Sequence, residues 1–108
     1  MDKGTILDAV AFLEKCLVEK GVSVSKIILF GSHARGRADH EGDVDVAIIS
    51  EDFHGKDIFE RAALTKEAEI MTIRKFMMPF DIVTLTPGEF ESESSLISEY
   101  VRNGEVLF

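Results

Sequence analysis

Gly31 to Asp45 reads GSHARGRADHEGDVD: a Gly-Ser pair, ten residues, then Asp-x-Asp. A glycine turn leading into a short helical segment lets the backbone approach a phosphate and offers it N–H donors. Ser32 adds a hydroxyl donor, and the partial positive charge of a helix N-terminus adds attraction. Arg35 or Arg37 could neutralise a terminal phosphate. No Gly-Lys-Ser/Thr follows, so this is not a Walker A loop, nor is it a GxGxxG turn.

The second half of the motif suits divalent metal. Side chains on a strand alternate faces, so Asp43 and Asp45 point the same way with Cα atoms roughly 6.5–7 Å apart. Unpaired, two such carboxylates repel each other and raise a pKa. Asp39 and Glu41 deepen the negative field, and no lysine lies between residues 27 and 55. A bound cation is the natural compensator, and hard carboxylate oxygens favour Mg²⁺ or Mn²⁺ over zinc. Asp81 sits in the apolar run FDIVTL, where a buried charge costs several kcal/mol unless paired or metal-bound. If its face is also that of Asp43 and Asp45, three carboxylates converge. Such a set can hold two ions ~3.5–4 Å apart for in-line phosphoryl displacement.

Simple elements must position these groups. Ile6, Val10, Leu13 and Leu17 recur at helical spacing over residues 5–20, with Thr5 and Asp8 as a weak capping box and Gly21 as the stop. SKIILF over residues 25–30 reads as a buried strand. A helical turn is expected at residues 32–35, a polar loop at 37–42 and a second strand at 43–49. Residues 57–75 form the second long helix, broken by Phe76 to Pro79, and residues 80–85 the third strand. Thr86-Pro87 is an N-cap followed by proline at the first helical position. Residues 94–102 form a last helix, ended near Gly104. The order α-β-α-β-α-β-α predicts an α/β fold, a small mixed sheet flanked by helices. With no linker or repeat, residues 1–108 are expected to be one domain.

Composition narrows the function. The chain carries 20 acidic and 12 basic residues, net −8. That disfavours nucleic acid as a direct partner and an anionic membrane surface, since both call for clustered Lys and Arg. One cysteine excludes an internal disulfide and a thiolate metal cluster. No apolar run approaches the ~20 residues of a membrane span, and the N-terminus lacks a signal-peptide core. A cytoplasmic protein is expected.

The pattern GS-x10-D-x-D, with a later carboxylate in an apolar strand, resembles the nucleotidyltransferase superfamily that includes DNA polymerase beta. Those four residues at that spacing would occur by chance in roughly one chain in a thousand, taking usage of ~5–7% each. The small size resembles its minimal nucleotidyltransferases, the antitoxin partners of HEPN toxins. The resemblance implies the palm-like fold of that superfamily. It assigns triphosphate binding to Gly31 and Ser32, metal binding to Asp43 and Asp45, and metal binding with acceptor activation to Asp81. One departure is Gly42, where many members have serine before the first aspartate; no metal ligand is lost.

The expected activity is Mg²⁺-dependent transfer of AMP from ATP to a hydroxyl with release of pyrophosphate, and the resemblance implies that the acceptor is a tyrosine of a HEPN toxin or similar helical subunit. The chain ends soon after the third strand, so the acceptor is expected on another molecule. Ala47, Ile49, Val83 and Leu85, following the aspartates along one face, are expected to need cover from a helix or partner. Two other readings compete: a non-catalytic antitoxin that occludes its partner, and a nucleotidyltransferase for an aminoglycoside-type small molecule, whose site a homodimer would complete. For Asp81 the competing role is a strand-edge aspartate facing solvent. His33, His40 and His54 lack ligand spacing, and His33 is expected to be solvated. Cys16 reads as core, Met71, Met77 and Met78 as packing, Arg61, Lys66 and Arg74 as helix-surface charges, and Tyr100 as an amphipathic-helix residue.

Overall fold

The structure, a computed structural model, describes residues 2–31, 33–34, 42–92 and 96–108. The first helix, α1 (Lys3–Glu19), is capped by Asp2, whose carboxylate accepts from the Thr5 N–H at 2.8 Å. The cap expected at Thr5 is displaced one turn upstream, because Asp2 serves the free N–H groups there. At the other end Gly21 takes φ +88°. Val22 N–H reaches Leu17 O and Gly21 N–H reaches Val18 O, both at 3.0 Å, which closes the helix as a glycine-ended Schellman turn.

Strand β1 (Lys26–Phe30) runs antiparallel to β2 (Val44–Ile49). A 3-10 turn at Glu51–Phe53 leads to α2 (Ile58–Phe76), which opens on a reciprocal Asp57–Glu60 capping box. The helix then returns the chain to β3 (Phe80–Leu85), parallel to β2, as a crossover helix requires. Two short helices follow, α3 (Pro87–Glu91) behind the Thr86 cap and α4 (Leu96–Arg102). A last strand, β4 (Glu105–Val106), pairs antiparallel with β1. The sheet order is β3-β2-β1-β4. The small mixed sheet flanked by helices is the architecture expected from the sequence. The fourth strand was not, because two residues carry no periodicity. At 33–34 the chain turns; the rest of the helical turn expected at 32–35 lies outside the described residues.

Gly104 explains how the chain reaches β4. A Cβ there would lie 2.5 Å from Leu29 O and 2.9 Å from the Phe30 Cβ, so only glycine lets the backbone cross β1 this closely.

Alternation along the strands divides the core into two parts. Ile27, Leu29, Val44, Val46, Ile48 and Phe80 face α1 and α2. Ile28, Phe30, Ala47, Ile49 and Leu85 face the other way, against Val101 of α4 with Phe90 of α3 beside them. The apolar face beyond the aspartates is therefore covered in part by this chain's own short helices. Cys16 and Met78 are core, but Met77 is 83% exposed at φ 52°, so it ends α2 rather than packing.

Arg61 corrects another expectation. Its side chain is only 14% exposed and bridges α2 to α3 through Glu89 at 2.7 Å and 3.2 Å. It also donates to Thr84 O (3.3 Å) and Lys56 O (2.9 Å). The Arg61 hydrogen bond is the main cause holding the Glu89 carboxyl below its usual range. Glu89 is half-exposed, so solvent screening limits the pair to about 0.5–1 kcal/mol. A depressed carboxyl pKa stabilises the fold above the unfolded glutamate range, and the gain is lost as pH falls through the folded value. Denaturation of Arg61→Gln at pH 7 should therefore show that loss, and acidification should narrow the gap to what the bonds to Thr84 O and Lys56 O leave. An equal gap in acid would mean that the Glu89 pair contributes nothing.

Candidate functional site

The three strands bring one row of residues side by side. Phe30 on β1 pairs with Asp45 on β2, and Asp45 pairs with Asp81 on β3. Residues in register across neighbouring strands share a face, so the Asp45 and Asp81 carboxylates stand on the same side of the sheet. Asp43 lies two residues before Asp45, just ahead of β2, and is exposed. Asp45 is half-buried and Asp81 exposed. The burial cost expected for Asp81 therefore does not arise: β3 is an edge strand, and its aspartate reaches water. It keeps the face and the register that a shared site requires.

Gly31 closes the row at the end of β1. It adopts φ +75°, a conformation that L side chains rarely hold. A Cβ on Gly31 would strike the Asp45 carboxylate oxygen and come within 3.1 Å of its Cγ. The glycine thus does something beyond opening a turn to phosphate: it vacates the space that the Asp45 side chain occupies. The start of β2 is fixed by Val44 N–H donating to Pro79 O at 2.9 Å, which ties the Asp43–Asp45 segment to the residue ahead of β3.

His33 was expected in water and is instead 4% exposed. Its Nε2 donates to Gly42 O at 3.1 Å, since a carbonyl can only accept. The ring therefore ties the turn after Gly31 to the residue just before Asp43. Its place beside Gly-Ser gave the only hint of such a role, because one histidine carries no periodicity. Ser32, Arg35 and Arg37, the other expected phosphate contacts, lie outside the described residues, as do Asp39 and Glu41.

Glu69 was not singled out from the sequence. It projects from α2 beside β3 and is partly buried. Burial first, and the nearby Asp81 charge second, push its carboxyl above the usual glutamate range. The signal was a helical stripe, Ile58, Ala62, Thr65 and Glu69, whose last member is charged where the others are apolar or small. These residues and Asp81 line one cavity of about 460 Å³ along β3.

By donor chemistry, Asp43, Asp45 and Asp81 fit a hard divalent ion. As placed, no three His, Cys, Asp or Glu side chains among the described residues form a group able to hold one. Two of the three carboxylates are exposed, so their side chains have room to rotate toward a shared ion.

The sequence profile of the polymerase beta, nucleotidyltransferase family matches residues 13–108. MJ1305 of Methanocaldococcus jannaschii, provisionally named a protein adenylyltransferase, is 29% identical over 83 residues, 77% of this chain and 56% of that protein. The chain thus spans little more than half of this relative's length. A toxin–antitoxin structure with AMP-PNP superposes with TM-score 0.64 at 21% identity, over 94% of this chain and 72% of that one. A toxin–antitoxin MntA-HpeT mutant gives 0.62 at 18% identity, over 94% and 71%. A provisionally named nucleotidyltransferase of Sulfolobus solfataricus gives 0.54 at 19%, over 98% and 87%. At these identities the structural likeness is one of fold. No helix among the described residues is long and apolar enough to cross a membrane.

Proposed function

Since the chain belongs to the polymerase beta nucleotidyltransferase family, we propose that it transfers AMP from ATP to a hydroxyl of a partner protein and so acts as an antitoxin. The partner of this reading is a HEPN toxin and the acceptor a tyrosine. The relative named as a protein adenylyltransferase supports a protein acceptor, and the toxin–antitoxin neighbours support a toxin partner. The observation that carries the reading is the row Gly31, Asp45 and Asp81, with phosphate-turn chemistry at one end and an exposed carboxylate at the other. A cytoplasmic setting and a single domain over residues 1–108 belong to the same proposal.

In this reading the Gly31 and Ser32 backbone and the Ser32 hydroxyl hold phosphate oxygens, with Arg35 and Arg37 against the terminal phosphates. Asp43, Asp45 and Asp81 would hold two Mg²⁺ ions, with Mn²⁺ as a substitute, which when bound would neutralise phosphate charge and favour the ionised acceptor. Asp81, at the edge strand, orients the acceptor hydroxyl and takes its proton. The hydroxyl oxygen bonds to the α-phosphorus, the bond from that phosphorus to the bridging oxygen breaks, and pyrophosphate leaves. The protein's share is mostly positioning and charge stabilisation.

The test is incubation of the protein with Mg²⁺, α-labelled ATP and the product of the adjoining reading frame. One pyrophosphate released per AMP fixed on that protein is expected. An unlabelled acceptor that is nonetheless neutralised would sink transfer and favour occlusion without catalysis.

A further inference from the structure

The cavity along β3 is more than the flank of the site. Its floor is the outer edge of the sheet, since β3 ends the order β3-β2-β1-β4. Along a strand, successive residues turn their polar groups to opposite sides. Leu85 O accepts from Ser50 N–H at 3.0 Å on the inner side, and Thr84 O accepts from Arg61 at 3.3 Å on the outer side. Ile82 therefore presents its N–H and C=O outward. One wall is α2, with Ile58 and Ala62, and Ile97 of α4 stands opposite. Ile58 is 72% and Ile97 42% exposed, so an apolar rim borders the strand edge, which Arg61 caps at Thr84 and leaves open at Ile82. Such an edge is a template for another strand. Glu69 and Asp81 lie in the same cavity, while Arg61, which also lines it, is engaged by Glu89.

We propose that this groove docks an extended, lysine- or arginine-bearing segment of the acceptor protein, paired to the outer edge of β3 with an apolar side chain between Ile58 and Ile97. The inference rests on the transferase reading and adds where the acceptor lies. Strand order sets the two substrates on opposite sides of Asp45, the phosphates toward Gly31 and the acceptor toward Asp81. Charge selects the occupant. The groove is acidic and the chain carries −8. A second copy would bring Glu69 and Asp81 against their own kind, whereas a basic segment is drawn in.

Calorimetry of the product of the adjoining reading frame against the full chain tests this, with ATP affinity and melting temperature read alongside. Ile58→Asp and Glu69→Lys should each weaken partner binding at least 10-fold, and the ATP affinity of Ile58→Asp should stay at the wild-type value. Raised salt should weaken wild type more than Glu69→Lys. Unchanged partner affinity in both variants overturns the proposal, as does a wild-type protein that fails to bind the partner. Self-association that Ile58→Asp abolishes would overturn it too, giving the groove to a second copy. Should Ile58→Asp melt early, Glu69→Lys decides alone. A wild-type protein that binds the partner but not ATP would sink the transferase reading while leaving the docking result intact.

Discussion

Asp43→Asn with Asp45→Asn should abolish nucleotidyl transfer, by about 10²–10³-fold or more, and leave the protein folded. The size follows from the role. If these carboxylates bring charge stabilisation of several kcal/mol to the phosphoryl centre, each ~1.4 kcal/mol lost is a tenfold loss of rate. The fold should not suffer, because Asp43 is exposed and Asp45 only half-buried. Asparagine keeps the size of each side chain and an oxygen acceptor at each position, so the fold is expected to persist.

Asp52 makes the contrast. It also carries a carboxylate, but its oxygen accepts from Ser23 N–H at 2.7 Å and pins the chain ahead of β1. Asp52→Ala, which removes that acceptor, should therefore cost stability and spare transfer. Transfer kinetics and thermal melts on the two variants separate a chemical aspartate from a structural one. Activity retained by the Asp43/Asp45 double variant would end the transferase assignment; a large fall in its melting temperature would recast the pair as structural.

The sheet's three main strands were legible because their residues are apolar runs bounded by turn residues, and the two long helices because their apolar residues repeat. Asp43, Asp45 and Asp81 were legible for a different reason: carboxylates in or beside apolar strands have few structural uses. What could not be read were the pairings. Alternation places Asp81 on one face of β3 but not beside Asp45; only the parallel register does that. Likewise β4 exists because Gly104 lets two residues lie against β1, and no local pattern announces it. Arg61 and His33 read as solvated groups in the sequence because a lone polar side chain shows no partner there. Their partners, Glu89 and Gly42, lie 28 and 9 residues away.

Gly31→Ala should cost both stability and activity, and the two losses have separate causes. At φ +75° an L residue is strained by roughly 1–2 kcal/mol. Gly21 has a similar φ of +88° and nothing within 4 Å of a Cβ built there, so Gly21→Ala reports the strain alone. Gly31→Ala should lose at least as much stability in urea as Gly21→Ala, since the clash with Asp45 adds to the shared strain. They should part company in transfer. The Cβ of Gly31→Ala meets the Asp45 carboxylate, and the nearness of Asp45 Cγ at 3.1 Å and Cβ at 3.3 Å leaves that side chain little room to pivot away. A misplacement of about 1 Å in such a site costs on the order of 10²-fold. Gly31→Ala is thus expected to lose about that factor in transfer, while Gly21→Ala keeps the wild-type rate. Equal activity in the two variants would show that the carboxylate yields to the methyl group at little cost. The tight fit between Gly31 and Asp45 would then be a feature of packing rather than of the site.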